Sequence, residues 1–266
     1  MNWFVQLSPV LQALLATLLT WGATIVGSAI VFFLKTIHKN VITTMIGFAA
    51  GVMIAASFWS LLFPAIQMSE QLTVNSWLPP AIGFFLGGTF LYVIDKLISN
   101  LREQQVGENG EINRKKSMLL LLAVTLHNAP EGLAIGIAFG ALATGLPYAS
   151  LAAAVSLTVG VAIQNLPEGA AVSIPFRKEG YSRYKAFLLG QSSALVEPFA
   201  GIIGALLVMK IQSILPYALA FAAGAMMYVV IEELIPDAKE ERHTHYGTIG
   251  AMVGLLIMMV LDIILG

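Results

Sequence analysis

Apolar residues in this chain gather into eight long runs separated by short polar stretches. Each run is close to the roughly 20 helical residues that cross a bilayer core of about 30 Å. The pattern predicts membrane-spanning helices over residues 10–34, 41–65, 78–98, 118–142, 148–173, 186–209, 215–235 and 249–265. Connections are short apart from 99–117, a polar stretch with Gly107 and Gly110 that reads as a cytoplasmic loop between the third and fourth helices. The expected fold is all-α: one polytopic domain, residues 1–266, of eight transmembrane helices with kinked central members.

Composition supports that solvent assignment. The chain is 58% hydrophobic and 11% charged, more apolar and less charged than soluble domains. It has no cysteine, which excludes disulfides, iron–sulfur clusters and thiolate metal sites. A net charge of −1 offers nucleic acid nothing to bind. The first basic residue is Lys35, so the positive n-region of a signal peptide is missing and the first run is expected to persist as a helix. Of the 14 Lys and Arg residues, all but Lys210 fall in or beside the loops after odd-numbered helices. Basic residues favour the cytoplasmic side. Both termini are therefore expected outside, in a multi-pass protein of the inner (plasma) membrane.

Against this background the ionisable residues inside the runs stand out. Residues 127–132 read His-Asn-Ala-Pro-Glu-Gly, and 164–169 read Gln-Asn-Leu-Pro-Glu-Gly. On a helix, His127 and Glu131 lie one turn apart on one face, as do Gln164 and Glu168. Counted in from the helix ends at about 1.5 Å per residue, these four and Glu197 of the sixth run reach one depth near the midplane. A carboxylate there costs roughly 2.5–3.5 kcal/mol on insertion scales, so three need compensation by a cation or by protons. Pro130, Pro167 and Pro198 each remove an amide donor beside one of these glutamates. The pattern points to a metal site between helices, with His127, Glu131 and Glu168 as its core. Gln164 is as readily a structural hydrogen-bonding group. Asn128 and Asn165 either add oxygens or satisfy the proline-freed carbonyls, and Ser192 and Ser193 line a path or pack. Met53, from the residues alone, packs. An imidazole among carboxylates and amides suits Zn²⁺, and less distinctively Cd²⁺, Fe²⁺ or Mn²⁺. Glu232, Glu233, His243 and His245, with Asp237, form an exit route for such an ion or merely a solvated polar loop. Asp95 and Asp262 receive no role.

Glycines at four-residue spacing (Gly47/Gly51, Gly83/Gly87, Gly132/Gly136/Gly140, Gly250/Gly254) predict close helix contacts. The two motifs on adjacent antiparallel helices suggest inverted symmetry, with three helices before and three after the pair. The His-Glu-x-x-His motif of an intramembrane metalloprotease and the glycine-rich phosphate loop of a nucleotide hydrolase are both absent. An enzyme is not expected, nor is a cofactor. The competing reading is a proton- or cation-coupled carrier of a small organic solute, with the glutamates as proton relays.

The two motifs, the Glu-Pro at 197–198 and the eight-helix plan together resemble the ZIP (Zrt-/Irt-like protein) metal transporters, especially their bacterial zinc-transporting branch. The resemblance implies a binuclear centre, with His127, Glu131, Gln164, Glu168 and Glu197 around one ion. Asn128, Asn165, Glu168, Glu197 and Met53 would surround the other. It further implies uptake into the cytoplasm, often as a homodimer, with Glu232 and Glu233 on the exit route. Asn165 stands where related bacterial proteins often have aspartate, removing a charge from the second site. The loop before the fourth helix lacks histidine, unlike that of many relatives.

Overall fold

The computed structural model describes residues 2–33, 38–72, 75–103, 112–145, 149–239 and 245–265, and every regular element among them is helical. Eight helices are long and apolar enough to cross a membrane: span 1, Pro9–Phe33; span 2, Lys39–Gln71; span 3, Leu78–Ile98; span 4, Leu121–Thr144; span 5, Leu151–Lys178; span 6, Arg183–Lys210; span 7, Leu215–Ala238; and span 8, Tyr246–Leu265. Their number and order match the hydropathy pattern. Within the segment between spans 3 and 4, one helix continues to Glu103 and the next begins at Ile112, and 104–111 lie outside the described residues.

Local chemistry sets the starts. Ser150 accepts a hydrogen bond from the Ala153 amide at 3.0 Å before span 5, and Ser182 accepts from Lys185 at 3.2 Å before span 6. Both are N-cap interactions that satisfy amides a new helix leaves unpaired.

The helices pack most closely as spans 1 with 5, 2 with 8, 3 with 7 and 4 with 6. Small residues permit it. A Cβ on Gly136 would sit 2.0 Å from the Gly201 carbonyl oxygen, and one on Gly47 equally close to that of Gly247. Exchanging span 1 for 6, 2 for 7, 3 for 8 and 4 for 5 leaves this pairing scheme unchanged, as inverted repeats require. The irregularities follow the same exchange: span 2 is π-helical over Ala56–Leu62 and span 7 over Val230–Leu234.

Polarity is arranged inside out. Spans 3 and 8 expose Phe85, Phe90, Met252 and Ile264, a surface matched to acyl chains rather than water. Buried polar groups concentrate at the centre, where Asn128, Glu131, Gln164, Asn165 and Glu197 are all essentially inaccessible.

Candidate metal centre

Spans 4, 5 and 6 deliver these groups by different backbone devices. Spans 4 and 5 continue through Pro130 and Pro167 without interruption. Span 6 breaks: one helix ends at Ser192, a turn follows, and another begins at Val196. Glu197 therefore lies in the first turn of a helix, where the partial positive charge of unpaired amides favours an anion. Pro198 has no amide to offer the Ala194 carbonyl, and the Glu197 amide reaches it instead at 3.0 Å. The Ser192 and Ser193 hydroxyls bond back to the Leu189 and Gly190 carbonyls of their own helix.

Two amide–carboxylate pairs bind the helices together. Gln164 Nε2 donates to Glu131 Oε1, joining span 5 to span 4. Asn165 Nδ2 donates to Glu197 Oε1 at 2.8 Å, joining span 5 to span 6, and to the Thr20 carbonyl of span 1 at 3.2 Å. The Thr20 hydroxyl bonds to Glu197 Oε2. Glu131 lies within electrostatic reach of both Glu168 and Glu197. Carboxylates so close repel unless protons or a cation intervene.

Four buried oxygens in this region have no hydrogen-bond partner: Asn128 Oδ1, Glu131 Oε2, Gln164 Oε1 and Asn165 Oδ1. An orphaned buried acceptor costs about 1–3 kcal/mol, more if charged. Four of them from two adjacent helices make a set of oxygen donors suited to a cation. Among the described residues, no three His, Asp or Glu side chains converge as a chelating cluster. The centre is therefore assembled at one level but held by amide hydrogen bonds rather than closed into a single ligand shell.

His127 pairs with Glu233 of span 7, Nδ1 to Oε2 3.2 Å. Both line a cavity of about 250 Å³ together with Glu168, Lys178 and Asp237. The cavity lies at the ends of spans 2, 5 and 7 that carry Lys39, Lys178 and Lys239, and this end is called the basic face below. Glu232, beside Glu233 in sequence, is exposed and lies off the cavity against Tyr228. Successive side chains on a helix point about 100° apart, so the two glutamates face different sides of span 7. His245 is exposed and off the cavity, with its carbonyl accepting from the Ile249 amide. His243 lies outside the described residues. Met53 is fully buried in the main apolar core.

Two participants escaped the reading of the chain. Thr20 belongs to a buried stripe on span 1 (Thr17, Thr20, Thr24 and Ser28) whose three- and four-residue spacing marks one helix face. That stripe was the available signal. Asp262 of span 8 accepts from Ser60 of span 2 at 2.8 Å and from Ser156 of span 5 at 2.8 Å, an association across three helices that spacing along the chain does not reveal.

Comparison with known proteins agrees with this architecture. A family model described as ZIP Zinc transporter matches residues 108–262. Zinc transporter ZIP11 of Xenopus tropicalis is 39% identical, with 97% of this chain and 98% of that protein aligned. ZIP11 of Homo sapiens is 37% identical with the same coverage. Zinc transporter GufA of Myxococcus xanthus is 34% identical across 95% of this chain and 98% of its own length. Along nearly all of its length, including the two motifs at its polar centre, the chain belongs to the ZIP family of zinc transporters.

Proposed function

We propose that this protein takes up Zn²⁺, and with less preference Cd²⁺, Fe²⁺ and Mn²⁺, into the cytoplasm through the centre formed by spans 4, 5 and 6. That it is a multi-pass membrane carrier of divalent metal follows from its family and its eight apolar helices; the ion, the residues and the direction are our reading. The observation that carries it is the group of four unpartnered buried oxygens beside a cavity that reaches His127 and Glu168. Zinc as cargo is supported by the imidazole among oxygen donors and by the names of the relatives. His127, Glu131, Gln164 and Glu168 would hold the ion. Asn128 would contribute its amide oxygen, and Met53 would bound the site within the core.

Direction rests on charge. The basic face is cytoplasmic if Lys and Arg keep their usual bias, which puts both termini outside. The cavity then faces inward, and Glu233 and Asp237 form the exit route; Glu232 and His245 lie beside it. Toward the opposite face the centre is sealed by fully buried apolar residues, among them Ile135, Leu157, Leu219 and Met226. Capture from outside requires a second arrangement in which this seal opens, the alternation that inverted repeats permit. Purified protein in liposomes tests the proposal. Zinc-dependent filling of a trapped indicator is expected, with Cd²⁺, Fe²⁺ and Mn²⁺ competing more weakly. Equal filling by liposomes lacking protein, or uptake of an organic solute without metal, overturns it.

A further inference from the structure

Given the metal-carrying centre proposed above, we infer that this chain holds one transported ion at a time, because Asn165 and Thr20 close the position around Glu197 with hydrogen bonds of their own.

The two amide–carboxylate pairs look alike in sequence but are satisfied differently. At Glu131, only Oε1 is engaged, and both Glu131 Oε2 and Gln164 Oε1 remain without a partner. At Glu197, both oxygens are engaged, Oε1 by Asn165 at 2.8 Å and Oε2 by the Thr20 hydroxyl, which also reaches the Thr17 carbonyl at 3.0 Å; only Asn165 Oδ1 is left without a partner. Asn165 spends its second N–H on the Thr20 carbonyl. Since a carbonyl and a carboxylate are both pure acceptors, only the NH₂ end of the amide can face them. An amide turned that way cannot present Oδ1 to a cation shared with Glu197 Oε1. A cation at Glu197 would therefore displace three hydrogen bonds, two of them to a charged acceptor and so among the stronger kind. At Glu131 it would displace one.

An aspartate at 165 would reverse this. It has no proton to donate when ionised, so two carboxylates would face each other and require a cation between them. Replacing one oxygen by NH₂ thus exchanges a mobile counter-charge for fixed donors. With both oxygens of Glu197 held by fixed donors, the position at Glu131 is the one left to take the ion.

Zinc stoichiometry of the purified full chain in lipid nanodiscs, by equilibrium dialysis with metal analysis, tests this. We expect one saturable Zn²⁺ per wild-type chain and two for Asn165→Asp. X-ray absorption should then show a zinc–zinc distance of about 3.5–4 Å, typical of two-metal sites, in the variant alone. Two ions in the wild type overturn the inference and leave the transport proposal standing. No saturable zinc overturns both. One ion in folded Asn165→Asp removes Asn165 as the cause. Should that variant not fold, the wild-type count and its absorption spectrum decide by themselves.

Discussion

Between Glu168 and the basic face, His127, Glu233, Asp237 and Lys178 surround a cavity of about 250 Å³. Between the same centre and the opposite face, Ile135, Leu157, Val161, Leu219 and Met226 are fully buried. A cavity at that far end, beside Ser60 and Ser150, has a volume of about 20 Å³, room for little more than one water. Helices of one composition thus make a hollow half and a dry, close-packed half. The difference lies in which residues face inward. A carrier needs this asymmetry, because a centre open to both sides would conduct rather than transport.

The contrast can be broken outright at the helix pair that frames both halves. Gly136→Leu would drive a side chain into the Gly201 backbone. Overpacking commonly costs about 1–3 kcal/mol and more where backbone must move, so the variant is expected to lose its monodisperse peak on size-exclusion chromatography. A well-behaved variant with normal uptake would contradict the span 4–6 packing.

Within a folded protein, the next largest effect should come from the centre. His127→Ala and Glu168→Ala are expected to slow liposomal zinc uptake by about tenfold to a hundredfold, the range seen even when groups supporting metal ligands are removed. Near-normal flux in both would defeat the site assignment.

The two halves can then be compared directly, because the chain has no native cysteine. Single cysteines at Ile46 and Ala171, on the cavity wall, should react with a water-soluble thiol reagent applied from the basic face. Cysteines at Leu157 and Val161 should stay unmodified, since thiol chemistry requires access. Equal labelling would show that the dry half is not sealed.

Smaller effects belong to the ends. Glu233→Gln keeps the shape of the cavity but removes the charge beside His127, and a severalfold slower uptake is expected, short of the loss in Glu168→Ala. Asp262→Ala should cost about 1 kcal/mol through its hydrogen bonds to Ser60 and Ser156, visible as a modest drop in thermal midpoint.

The eight spans and their order were readable in the chain, and spans 4, 5 and 6 bring Glu131 near Gln164, Glu168 and Glu197. Partition into a bilayer sums contributions of neighbouring residues within each segment. What tertiary structure decided is which way each polar group turns. Thr20 meets Glu197 across 177 residues, Asp262 meets Ser156 across 106, and Glu233 rather than Glu232 enters the cavity. Those choices depend on the azimuth of one helix against another. Azimuth leaves no local trace in hydropathy, because a hydrogen-bond partner is selected by packing between segments and not by the segment that carries it.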